Sequence, residues 1–332
     1  MKRPMATRRA VMAAAFGAAL PGAPEAQVSN SAGEVFPSRT VRLVVPSPPG
    51  TAPDIRGRHI AQKLSEEWLQ AVIVDNRPGA NGRVSWDLIL QAPPDGHTML
   101  LGGFALATAP HLTKLPYDPL KEFAAVSKVS AAPLILLAHP GSPFDSVSEL
   151  VAHGRANPGN LNAASFGVGS ITHLAMSLFS KTVGFEFTHV PYNGGGTQMI
   201  ADLIGGQVQL LFDLAVVALP HLKSGRIKAL AVTSESRLEV WPSVPTFNEL
   251  GYPAMGMTGW QGVFVRANTS PDFIARLNRT LVRVLNLPDI RQAIVDTGAV
   301  VGADSPEQFA AFVRGEHARW GKTIADAAIR LE

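Results

Sequence analysis

Three times along this chain a short β-rich run ends in a glycine-bearing turn that opens a helix. The runs are residues 41–46 (VRLVVP), 161–165 (LNAAS) and 188–192 (THVPY), and the turns are 49–54, 165–173 and 192–198. A helix between consecutive strands is a crossover, and crossovers join parallel strands and place helices on the sheet faces. That order predicts an α/β chain. Its 332 residues suit roughly two domains of ordinary size.

The rest of the pattern fits the same plan. Strands are expected at 71–75, 98–101, 134–138, 207–212 and 226–233, with a return crossing starting in 262–265. On the first helix Gly57, Ile60, Ala61, Leu64 and Trp68 share one face, and Asp54 stands where an N-cap is expected. Ser170 is a candidate cap for a helix bearing Ile171, Leu174, Ala175, Leu178 and Phe179. A helix with Ile200, Leu203 and Ile204 meets Gly205-Gly206, a C-terminal stop. Ser270-Pro271 supplies a cap and a first turn, and Ser305-Pro306-Glu307-Gln308 reads as a capping box.

A formal charge of +3 points at first to an anionic partner such as nucleic acid. Its location removes that reading. Of 29 basic and 26 acidic residues, Lys2, Arg3, Arg8, Arg9 and Glu25 fall in the first 26, leaving 25 of each sign in the remainder. The same segment carries an apolar run over 10–20, shorter than the about 20 residues of a membrane span, then small residues: the form of a signal peptide. Residues 7–12 (TRRAVM) loosely match a twin-arginine signal and equally fit an ordinary Sec signal. Cleavage is expected near Ala26, with a flexible leader over 27–35 and an exported, periplasmic product. With no Cys, a disulfide scaffold and a Cys-ligated metal centre are excluded.

The glycine turns carry a simple chemistry. A helix N-terminus exposes unpaired N–H groups and about half a positive charge, so it holds an anion without a lysine. Three such turns at the carboxyl ends of parallel strands favour a carboxylate-sized ligand clamped between two lobes. Enzyme motifs are thin by comparison. Residues 167–172 nearly fit G-x-G-x-x-G, but Thr172 stands at the third glycine, and neither a P-loop nor a G-x-S-x-G elbow occurs. Ser170 and His173 are a candidate nucleophile and base, or else a helix cap with a first-turn histidine. The nine His form no H-x-x-x-H pair, so no metal or cofactor is expected. Asp213 is either a pocket acid or a cap on the next segment. Phe104 and Trp260 either line a cleft or belong to the core.

Together these blocks resemble the Bug (TctC-like) family of tripartite tricarboxylate transporter receptors. The resemblance runs from about residue 36 to the C-terminus. It is carried by FPSRTVRLVVPSPPG (36–50), VDNRPGANG (74–82), PDGHTMLLG (94–102), LPYDPLKEFAAVS (115–127) and ANPGNLNAASFGVGSITHLA (156–175). HVPYNGGGTQMIADLIGGQVQLLFD (189–213), ALAVTSESR (229–237), VPTFNELGYP (244–253) and SPEQFAAF (305–312) extend it.

The resemblance implies an α/β, type II periplasmic-binding-protein fold, with lobe 1 at 36–138 plus 260–332 and lobe 2 at 139–259. It implies a monomeric receptor without catalysis or cofactor that closes on a small organic acid. Such a receptor delivers its ligand to membrane transporter subunits or serves as a ligand-sensing partner of a signalling system. The alternative is an exported hydrolase using Ser170 and His173. Carried over by motif, the first-lobe contacts are the loop 46–54, with Pro49, Gly50, Thr51, Ala52 and Asp54. The second-lobe contacts are Ser165, Gly169, Ser170 and His173, with Tyr192, Asn193 and Gly194. Asp213 and the 103–107 turn, with Phe104, are specificity positions. The family's first loop reads P-[F/Y]-x-P-G-G-x-x-D, whereas here Ser47 replaces the aromatic, Thr51 replaces a glycine and Pro53 removes an N–H. Phe166 stands where a small residue or proline is common, which favours a more apolar or aromatic acid.

Overall fold

The computed structural model describes residues 28–29, 35–192, 196–326 and 328–329. The expected signal segment 1–26, and Asn193 and Gly194, lie outside the described residues. A short ribbon of β1 (Val28–Ser29) and β2 (Val35–Phe36) precedes β3 (Val41–Val45), α1 (Ala52–Trp68), β4 (Val72–Asn76), α2 (Arg83–Gln91), β5 (Thr98–Gly103), α3 (Ala105–Leu112) and α4 (Pro119–Glu122). The long strand β6 (Phe123–Ala138) leads into α5 (Val147–Ala156), β7 (Asn162–Ser165), α6 (Ile171–Val183), β8 (Thr188–Pro191), α7 (Gly196–Ile204), β9 (Leu210–Leu214), α8 (Ala215–Lys223) and β10 (Lys228–Val232). The chain closes with β11 (Thr258–Arg266), α9 (Pro271–Leu285), α10 (Pro288–Val295), β12 (Val300–Val301) and α11 (Pro306–Asp326).

The main sheet runs in the order β4-β3-β5-β11-β6-β9-β7-β8, with β10 and β12 also on β6. The three strand-to-helix units give the parallel pairs expected of them: β3 with β4 and β5, and β7 with β8 and β9. β11 enters antiparallel between β5 and β6.

The two α/β lobes meet on β6. Residues 123–133 pair with β11, while 134–138 pair with β9 and β10. The strand expected at 134–138 is thus the end of a 16-residue strand. Its first part was hidden by Pro133 and by the small residues Ala124, Ala125, Ala131 and Ala132, which dilute the alternation. The chain returns beside this point, and Thr233, 2% exposed, stitches the two crossings together. Its Oγ1 accepts the Leu134 N–H at 2.8 Å and donates to the Met257 carbonyl at 2.7 Å. Its backbone N–H donates to the Leu134 carbonyl at 2.9 Å, and its carbonyl accepts the Met257 N–H at 3.1 Å.

Local capping follows the sequence closely. Ser170, Ser270 and Ser305 each accept the N–H three residues on, and Gln308 Oε1 accepts the Ser305 N–H, completing the capping box. The first helix differs: it starts at Ala52 with Thr51 as N-cap, so Asp54 occupies the third helical position. The strand expected at 207–212 begins at Leu210, because Gln207 and Val208 still donate to the Asp202 carbonyl while closing α7. The return crossing begins at Thr258, ahead of the expected 262.

Candidate functional site

Each expected contact loop sits where a strand ends and a helix starts. In the first, Gly50 adopts φ +80°, and its N–H donates to Asp54 Oδ2 at 2.8 Å. Asp54 is 2% exposed and also accepts Asn76 Nδ2 at 2.9 Å and Arg58 Nε at 3.1 Å. Its carboxyl is held below the ordinary range by Arg58 first, with the Gly50 amide and Asn76 assisting against burial. Asp54 therefore shapes the loop and turns inward. Thr51 Oγ1 donates back to the Pro48 carbonyl at 2.7 Å, so no side chain caps α1. Pro49 and Gly50 are exposed, and Thr51 and Ala52 are half-buried at an open helix N-terminus.

The second turn is bonded far more densely. Ser165 is fully buried; its Oγ accepts the Gly167 N–H at 3.1 Å and lies 2.6 Å from His189 Nε2. The Phe166 N–H donates to Thr172 Oγ1 at 3.0 Å, and the Gly169 N–H to His173 Nδ1 at 3.1 Å. With Nδ1 accepting, the neutral His173 ring carries its proton on Nε2. The ring lies against His189, tilted by 30° with centroids 4.3 Å apart. Burial, and then His189, push His173 down to about 4, so it is neutral at physiological pH. Ser170 Oγ is engaged by Thr172 Oγ1 and the His173 N–H, and no Ser170–His173 side-chain bond forms. A nucleophile–base pair is absent at this turn. The Ile171 and Thr172 N–H groups head the helix instead.

Three further expected residues are placed differently from these loops. Tyr192 donates its hydroxyl to Asp202 Oδ2 at 2.6 Å, and burial with Asp202 pushes it up to about 12. Asp213 is fully buried; its Oδ1 accepts the Leu214 N–H at 2.7 Å, and Oδ2 has no partner among the described residues. Burial pushes its carboxyl up to about 7, opposed by the Leu214 amide. Phe104, 8% exposed, packs edge-on against Trp320 at 5.0 Å and belongs with Trp260 to the apolar core.

The strand β11 brings the loops together. A Cβ on Gly259 would lie 3.5 Å from both Ile171 Cδ1 and Leu214 Cδ2, so the start of α6 and the end of β9 sit over it. Two residues along the same face, Gln261 accepts from Arg56 of α1, and its Cγ lies 3.8 Å from the Cβ position of Gly103. The starts of α1 and α6 thus converge on one face of β11. Gly259, Gln261 and Arg56 were not foreseen: Arg56 and Gln261 are 205 residues apart, and no local spacing joins them. A separate cavity of about 660 Å³ lies among α6, the 233–258 return and α11, and none of the expected ligand residues lines it.

The family model for the tripartite tricarboxylate transporter family receptor (TctC) matches residues 57–329. Rpa4515 of R. palustris, solved with adipate, is 32% identical with TM-score 0.81, covering 89% of this chain and 100% of that one. MatC of Rhodopseudomonas palustris, with bound malate, is 32% identical with TM-score 0.78, covering 87% and 100%. The periplasmic binding protein BugD is 28% identical with TM-score 0.78, covering 89% and 100%.

Proposed function

The chain belongs to the tripartite tricarboxylate transporter receptor family, and from that premise we propose that it captures a small organic carboxylate between its two lobes and delivers it to membrane transporter subunits. The observation that carries this reading is the convergence of two helix N-termini, those of α1 and α6, on Gly259–Gln261. Helix N-termini favour anions through unpaired N–H groups and the helix dipole. The adipate and malate held by two similar receptors support the ligand class.

In this proposal the ligand lies between the loop of Pro49, Gly50, Thr51 and Ala52 and the turn of Gly169, Ser170 and His173, with Ser165, Asp54 and Tyr192 holding those loops in shape. Asp213 borders the site, and the expected contacts Asn193 and Gly194 lie outside the described residues. Of the expected lobes, 36–138 with 260–332 and 139–259, the first boundary moves into β6, because residues 134–138 pair with β9 and β10 of the second lobe. The protein is exported through residues 1–26 and works in the periplasm. Bound ligand favours closure because the closed state makes contacts with both lobes.

A thermal-shift screen of mono-, di- and tricarboxylates and aromatic acids tests this. A ligand at 100 times its Kd stabilises by about 2.7 kcal/mol. Failure of every acid to raise the Tm would overturn the reading.

A further inference from the structure

Arg56 is a half-buried cation with no acidic partner among the described residues. Lys128 and Lys228, comparably buried, face Asp304 at 2.9 Å and Asp145 at 2.6 Å. Arg56 instead donates to two neutral oxygens, Gln261 Oε1 and Thr297 Oγ1, the latter at 3.4 Å. Its burial lowers the guanidinium to about 10, the mark of a desolvated charge left uncompensated. A guanidinium has five N–H donors, so three remain after these two bonds. Gln261 and Thr297 restrain the planar group, and the rest of its fork is pre-set for the two oxygens of a carboxylate.

Its position decides what that carboxylate belongs to. Gln261 stands two residues from Gly259, over which Ile171 and Leu214 pack. Arg56 lies about 6 Å along α1 from Ala52, at 1.5 Å per residue. A ligand acid group at the helix ends would therefore leave a short carbon chain running toward Arg56.

We propose that Arg56 anchors a second carboxylate, so that this receptor takes a short dicarboxylate with one acid group at the helix N-termini and the other on the Arg56 guanidinium. The inference rests on the receptor reading above and narrows its ligand class.

Calorimetric titration of the wild type with the straight-chain diacids from malonate to pimelate, each beside the monoacid of equal length, tests it. The best diacid binds at least tenfold more tightly than its monoacid. In Arg56→Gln that ratio falls at least tenfold, and Arg56→Lys recovers part of it. Gln261→Glu keeps Arg56 but gives it a fixed carboxylate partner, and lowers the ratio similarly in a protein that stays folded. Acids that bind with no diacid preference, or a ratio unmoved in both Arg56→Gln and Gln261→Glu, overturn the inference and leave the receptor reading standing. A wild type that binds no acid overturns both.

Discussion

Thr233 Oγ1 lies 2.8 Å from the amide nitrogen of Leu134, at the residue where β6 passes from one lobe to the other. The same hydroxyl donates to the Met257 carbonyl, so one side chain ties both inter-lobe crossings. Held this way, the two strands are fixed to each other where the chain passes between the lobes.

Removing that hydroxyl should be costly. Thr233→Val keeps the shape but leaves the Leu134 N–H and Met257 carbonyl without their side-chain partner, at a cost of about 1–3 kcal/mol in urea unfolding. Thr233→Ser should recover much of the loss. A valine variant as stable as wild type would show that the hydroxyl does not secure the crossing.

Asp54 should tie acid stability to the first loop. Its folded-state carboxyl lies below the ordinary 3.8, lowered first by Arg58. The resulting stability is therefore full above 3.8 and is lost as pH falls through the folded-state value. Asp54→Asn should flatten that part of the acid-unfolding curve, and Asp54→Ala should cost about 1.5–3 kcal/mol at neutral pH. Acid curves that superimpose would contradict the assignment.

His173 acts at milder pH. Its folded-state value near 4 lies below the ordinary 6.5, so the stability it contributes is full above 6.5 and declines as pH falls toward 4. His173→Asn retains an acceptor for the Gly169 N–H without titrating. The stability difference between pH 7 and pH 5 should shrink on the order of 1 kcal/mol. Burial lowers His189 too, and it accounts for residual slope.

Ser170 serves α6 as a cap. Ser170→Ala should cost about 1 kcal/mol and Ser170→Gly only a few tenths. Ester hydrolysis by the wild type that disappears in Ser170→Ala would contradict the receptor reading.

Gly259 offers a steric test. Its Cβ position meets Ile171 and Leu214 at ordinary contact distance, so Gly259→Ala should fold with nearly unchanged Tm. Gly259→Leu should fill the space between the helix starts and abolish the acid-induced Tm rise. Undiminished ligand response in the leucine variant would place the ligand elsewhere.

What was legible in the sequence was whatever depends on neighbours a few residues away. The caps at Ser170, Ser270 and Ser305 and the parallel β3–α1–β4 unit are of this kind. Thr51 was missed as a cap because its hydroxyl turns back to Pro48 and makes no capping bond. Ser165 was expected at the second turn through the family resemblance, but its partner His189 lies on the adjoining strand β8, and pairing between strands leaves no local trace. Arg56 reads as an exposed helix charge until β11 supplies Gln261.

The insertion of β11 between β5 and β6 also governs the order of assembly. Until residues 258–266 are available, the first sheet lacks the strand that joins β5 to β6. The second lobe is contiguous in the chain and needs only its own residues and the end of β6. A nascent chain thus completes its middle segment first, and the lobe built from both ends of the chain stays open until residues 258–266 emerge.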